Sequence, residues 1–144
     1  MQPILHLSIP VRDLDEALAF YVQTLGCQAA RSRDDFTDVW FYGMQITLQH
    51  RPGEVPPAST KGSRHFGVTL GRDEFEALIA RLHEHGVDWV VPVSTDDRGL
   101  ATEQTKAKIA DPSGNVVEIK TYRDVDAALE VSVHSYPETF ARGN

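Results

Sequence analysis

Two hydrophobic periods alternate along this chain, and each marks a type of element. The run "HLSIPV" has period two: Leu5, Leu7, Ile9 and Val11 share one face, and His6 and Ser8 share the other. It reads as a strand. The next run, "DLDEALAFYVQTLG", repeats Leu14, Ala17, Leu18, Tyr21, Val22 and Leu25 at helical spacing. Asp13 is the expected N-cap, and Glu16 three residues on completes a capping-box pattern. Gly26 stands where a left-handed residue ends a helix. Three strand-like runs follow, at about 27–32, 36–42 and 44–50.

The same programme then repeats. "HFGVTL" opens on His65 as the first strand opens on His6. "RDEFEALIARLHEHG" carries a stripe of Phe75, Leu78, Ile79 and Leu82, with Asp73 as its expected cap, Glu76 following and Gly86 closing it. "EAL" occurs at 16–18 and again at 76–78, and the closing glycines are also sixty residues apart. Strand-like runs recur at about 88–93, 104–110 and 115–121. Between the halves, "RPGEVPPASTKGSR" reads as a linker. The pattern predicts an α+β fold: two tandem βαβββ modules in one domain spanning 1–144, an internal repeat. Module one covers 3–50, the linker 51–63, module two 64–122 and a C-terminal extension 123–144. That extension is expected to form one short helix, or to cover the site of a partner subunit.

Alternation gives every strand one apolar face and one small or polar face. Phe66, Val68 and Leu70 oppose His65, Gly67 and Thr69; Ile46 and Leu48 oppose Gln45, Thr47 and Gln49. Ala107 and Ile109 oppose Lys106 and Lys108, and Val117 and Ile119 oppose Val116, Glu118 and Lys120. A solvated antiparallel sheet also has a polar face. Histidines at matching places in a repeat favour a curved mixed sheet with a polar hollow. Trp40 and Tyr42 in "DVWFYG" are expected to line it.

Composition narrows the function classes. The 144 residues suffice for one domain with its own core, and a formal net charge of −7 disfavours nucleic acid or an anionic membrane surface as partner. No apolar run approaches the length of a membrane span. Cys27, the single cysteine, cannot form an internal disulfide, so a cytoplasmic location is expected, with Cys27 as a small apolar packing residue. His50, His83, His85 and His134 are expected on the surface, and Asp111 in "DPSG" as a turn residue.

His6, His65 and Glu118 all fall on the polar face. Two neutral imidazoles and a carboxylate can hold a divalent metal and leave open positions for substrate. The segments "HLSIPVRDLDEALAFYVQTLGC", "RHFGVTL" and "DPSGNVVEIK" resemble the vicinal-oxygen-chelate superfamily over residues 3–122. That superfamily includes glyoxalase I, extradiol dioxygenases, fosfomycin-resistance proteins and bleomycin-binding proteins. The resemblance implies that the two modules form a cup around a metal held by His6, His65 and Glu118. The ion would be Fe(II), Mn, Zn, Ni or Co. It places Thr47 where glyoxalase I supplies a further ligand, with Gln45 or Gln49 as substitutes on the same face. Lys108 stands ten residues before the glutamate, where the dioxygenases carry a substrate-contacting tyrosine, so Lys108 is a candidate catalytic or anion-binding group. Ser8, Trp40, Thr47, Gln49 and Lys108 are the expected substrate-pocket residues, with Thr69 and Lys120 on the same faces. The function implied is a metal-dependent small-molecule enzyme, a dioxygenase or a lyase or isomerase, acting as a homodimer. The alternatives are a drug- or metabolite-sequestering protein of the bleomycin-resistance type and a fosfomycin-type thiol transferase.

Overall fold

The structure, a computed structural model, describes residues 1–55, 57 and 63–129. Module one runs β1 (His6–Val11), α1 (Leu14–Leu18), β2 (Gln28–Arg33), β3 (Phe36–Phe41) and β4 (Met44–His50). Module two runs β5 (Phe66–Thr69), α2 (Arg72–Glu84), β6 (Asp88–Asp96), β7 (Gln104–Ala110) and β8 (Val116–Tyr122). A single 3-10 turn, Pro52–Glu54, follows β4, and the short helix α3 (Val125–Leu129) follows β8. The expected course of the chain from residue 130 onward, His134 included, lies outside the described residues.

The repeat is one of topology. Each module forms a four-stranded sheet, ordered β1-β4-β3-β2 and β5-β8-β7-β6. In both, the first strand pairs in parallel with the last and the remaining pairs are antiparallel. β1 and β5, the strands associated with the two histidines, are therefore both sheet edges.

Three local expectations are corrected. The first helix is α-helical only over α1 and then widens into a π-helical turn over Ala19–Thr24, with the Leu25 amide bonded to the Phe20 carbonyl. The wider turn lets two adjacent aromatics, Phe20 and Tyr21, both enter the core, edge to face at 5.1 Å. Asp13 does cap α1, its Oδ1 accepting from the Glu16 amide. Asp73 does not cap α2: Gly71 is the N-cap and makes no side-chain bond, leaving Asp73 and Glu74 inside the first turn. There they complement the positive end of the helix dipole. β3 stops at Phe41, because Tyr42 (φ 48°) and Gly43 (φ 82°) are both left-handed and form the two-residue turn into β4. Tyr42 is thus a half-exposed turn residue and not a strand residue.

Both modules contribute to one core. Ile9, Val11, Val39, Ile46 and Leu48 from the first sheet pack in the same cluster as Ile109, Val117 and Ile119 from the second, with Tyr21, Phe75 and Leu82 from the helical segments. Phe41 meets Phe66 edge to face across the module boundary. Polar clamps cross it too. Arg81 donates to the carbonyls of Gln23 and Thr24, Asn115 Nδ2 to the Pro10 carbonyl, and the Arg12 amide to Ser113 Oγ. Tyr21 donates its hydroxyl to Asp111 Oδ2 at 2.9 Å, with both residues buried. The polar-face residues are not simply solvated: Asp38 and Thr47 of the first sheet are buried.

Candidate metal centre

Glu118 sits in the middle of β8, in register with Gly67 on β5 and with Lys108 on β7. His65 immediately precedes β5, and its Nε2 lies 3.4 Å from Glu118 Oε2. Its other nitrogen, Nδ1, is 2.8 Å from the Ser63 carbonyl, an acceptor that places the ring proton on Nδ1. Nε2 is then the ring nitrogen turned toward the carboxylate. The backbone carbonyl on Nδ1 is the kind of outer partner that orients a metal-ligating imidazole. His65 and Glu118 are both of ligand type for a divalent ion, and among the described residues no third His, Cys, Asp or Glu joins them.

Two ammonium groups flank the same carboxylate. Lys108 Nζ stands 3.8 Å from Glu118 Oε1 and Lys120 Nζ 3.7 Å from Oε2, with both lysine side chains half-buried. Lys120 also lies over the Tyr122 ring at 5.5 Å. The next lysine on the face, Lys106, is engaged elsewhere, 2.7 Å from Asp96 Oδ2, and this contact pushes its pKa up. The approach of β5 to β8 depends on Gly67. A Cβ there would overlap the Glu118 carbonyl oxygen and stand 2.7 Å from its carbon.

The matching positions of module one are built differently. Ser8 pairs with Thr47, and Thr47 with Asp38, as Gly67 pairs with Glu118 and Glu118 with Lys108. Thr47 thus occupies the counterpart of Glu118, and its hydroxyl donates to Asp38 Oδ1 at 2.6 Å. Asp38 is fully buried and also accepts from Gln45 Nε2 and from Arg31. Thr47 and Gln45 both donate to Asp38, which fixes their orientation within the sheet. Asp38 and Arg31 were not legible as a pair in "ARSRDDFTDVW", where three aspartates cluster around a turn. The available signal was an acid flanked by Thr37 and Val39 inside a strand.

His6 is exposed at the start of β1, in register with Gln45 and, through it, with Trp40. Among the described residues no group of three His, Cys, Asp or Glu comes together. The structure joins His65 to Glu118 and leaves His6 apart from them. Ser8 is exposed, and Gln49 lies half-buried in register with Pro10 and Phe36. Trp40 and Tyr42 line a cavity of about 180 Å³ with Leu25, Gly26, Cys27 and Phe41, and none of His6, His65 and Glu118 borders it. His83 stacks at a tilt on Trp89, and His85 Nδ1 lies 3.4 Å from Thr24 Oγ1. Asp111 is a turn residue as expected, but it also receives Tyr21 from the other module.

Burial pushes the Cys27 thiol up to about 12, so the thiolate is scarce at ordinary pH. A thiol-disulfide reagent at pH 8 is expected to modify Cys27 in the folded protein about a thousandfold more slowly than in urea. Absorbance of the released thiol chromophore measures this directly.

The geometry can be set against known proteins. The sequence profile of the glyoxalase/bleomycin resistance protein/dioxygenase superfamily matches residues 3–119. The chain belongs to this superfamily. A solved superfamily structure from Alicyclobacillus acidocaldarius is 34% identical, covers 88% of this chain and 96% of its own, and superposes with a TM-score of 0.80. The fosfomycin resistance protein FosX of Listeria monocytogenes shares the fold at a TM-score of 0.70, with 13% identity over 89% of this chain and 98% of its own. Among curated relatives, the catechol-2,3-dioxygenase of Bacillus subtilis is 27% identical over 119 residues, 79% of this chain but 39% of that protein. The chain thus spans about two fifths of that relative. No helix among the described residues is long and apolar enough to cross a membrane.

Proposed function

We propose that this superfamily member is a metal-dependent enzyme acting on a small molecule that presents two adjacent oxygens. The site is a two-His, one-Glu centre with His65 and Glu118 from one subunit and His6 from a second copy. The observation that carries the reading is the His65–Glu118 pair, with Nδ1 anchored on Ser63 and Nε2 aimed at the carboxylate. Three features support the shared site. His6 and His65 stand at the starts of two sheet-edge strands, His6 is exposed, and Leu5 beside it is 72% exposed. Apposition of β1 from one copy with β5 of another covers Leu5 and brings the third ligand to the first two.

When bound, the ion supplies Lewis-acid polarisation of substrate oxygens and, if it is Fe(II), a position for dioxygen. The chain's own residues do the rest. Ser63 holds the imidazole orientation, Gly67 lets β5 close on β8, and Lys108 holds a proton beside an oxygen that gains negative charge. The three-ligand set is nearer the dioxygenase pattern than the four-ligand one, because a threonine, Thr47, stands at the counterpart of Glu118.

Mn(II) or Co(II) uptake, followed by spin-resonance or visible spectra, tests the reading. Wild type is expected to bind, His65→Ala to lose at least tenfold in affinity, and His83→Ala to remain unchanged. Equimolar refolding of His6→Ala with His65→Ala is expected to restore about a quarter of the sites, since half the dimers are mixed and each holds one intact site. No recovery on mixing would sink the shared site. Absence of metal uptake by the wild type would sink the metal centre. Oxygen consumption with catechols then separates dioxygenase chemistry from the lyase or isomerase reaction.

A further inference from the structure

We propose that Lys108 and Lys120 form a subsite for an oxyanion beside Glu118, so that the substrate carries a carboxylate or a phosphate-like group next to its chelating oxygens. This deepens the proposed function and rests on it for the position of the substrate. Three observations lead here. The chain carries a net charge of −7, yet Lys106, Lys108 and Lys120 share the polar face of β7 and β8, where their ion pairs among the described residues are to Asp96 and Glu118. Lys106 is directly opposite Lys120 across the β7–β8 ladder. Like charges at facing cross-strand positions weaken a sheet, and local rules of this kind are broken where a site needs the groups. Asp96 holds Lys106 at 2.7 Å, whereas Lys108 and Lys120 share one carboxylate at 3.8 and 3.7 Å, beyond the range of a good hydrogen bond.

The decisive point is who owns Glu118. Its oxygens are the ion's ligand in the proposed centre and also the counter-charge of both lysines. Any cation that takes the carboxylate leaves two half-buried ammonium groups without their anion, side by side with the metal. In a partly desolvated site their attraction for an anion is stronger than in water. A substrate oxyanion completes the charge balance that Glu118 no longer supplies, and charge-assisted bonds from both lysines orient it.

The test separates this subsite from the metal centre. In metal-free Glu118→Gln the lysines lose their counter-charge, so calorimetric affinity for oxalate or inorganic phosphate is expected to rise about tenfold over wild type. Adding Lys108→Gln or Lys120→Gln should abolish that gain, and adding Lys106→Gln should leave most of it. In the Mn(II)-loaded protein, Lys108→Gln is expected to raise Mn(II) affinity about threefold while lowering oxalate affinity about tenfold, because one positive charge acts oppositely on the two ligands. A purely structural lysine would weaken both. The ratio of oxalate to phosphate affinity names the oxyanion class. If Glu118→Gln gains no affinity for either anion, or Lys106→Gln erases the gain as fully as Lys108→Gln, the subsite is wrong. If wild type takes up no Mn(II) but Glu118→Gln gains anion affinity, the metal centre falls and the lysine subsite stands.

Discussion

Asp111→Ala is expected to lower the unfolding free energy by about 3 to 5 kcal/mol, one of the two largest single-residue effects in the chain. Asp111 is buried and accepts four kinds of donor: the Tyr21 hydroxyl, the Ser113 amide, and the amide and side chain of Asn115. Asn115 in turn donates to the Pro10 carbonyl, so the turn before β8 and the end of β1 are tied through one carboxylate. Alanine leaves these donors without an acceptor, including a fully buried phenol whose own pKa is pushed well up, first by burial and then by Asp111. Asp111→Asn keeps the shape and one acceptor oxygen, which can still serve the Ser113 and Asn115 amides, so a smaller loss of about 2 kcal/mol is expected there. The pH dependence has a definite sign. Burial holds the Asp111 carboxyl above its ordinary value, against the bonds to Asn115, Tyr21 and Ser113 that lower it. A raised carboxyl favours the fold below its unfolded pKa, and that contribution is lost as pH rises through the folded value. Urea midpoints should therefore show wild type gaining on Asp111→Asn as pH falls through the acid range. A flat difference would mean that Asp111 is not strained by its burial.

Gly67→Ala is expected to reduce stability by about 3 kcal/mol or more and to abolish Mn(II) uptake together with it. The Cβ meets backbone, not a flexible side chain, so β5 must move away from β8 and take His65 with it. Gly53→Ala is the control: its Cβ would meet nothing within 4 Å, and a change of under about 1 kcal/mol is expected. Thermal unfolding and metal titration measure the two losses. Retention of full metal affinity in a folded Gly67→Ala protein would show that the β5–β8 approach does not set the ligand geometry.

Much of this was legible along the chain. Period-two and period-3.6 runs located nearly every strand and both main helices, because each element buries one face and the buried face must be apolar. Gly26 and Gly86 marked the helix ends, and both are left-handed in the fold, at φ 84° and 61°. The repeat predicted the shared strand order. Asp73 and Tyr42 were misplaced because capping and turn formation depend on one or two dihedral angles that hydrophobic periodicity does not encode. The π-helical turn was likewise hidden: its reason is the Phe20–Tyr21 packing and the Asp111 acceptor, ninety residues from Tyr21 in sequence.

The candidate site divides in the same way. Alternation alone determined that His6, Glu118, Lys108, Lys120 and Thr47 belong to polar faces, since period two leaves a residue only two directions. Which of them meet was decided by the tertiary structure. Register across β5, β8 and β7 brought Glu118 to His65, Lys108 and Lys120, and register across β3 and β4 gave Thr47 to Asp38. Among the described residues His6 does not join its expected partners in one group. Alternation is a property of neighbours in one strand, whereas register and the facing of modules are set by contacts between residues far apart in the chain.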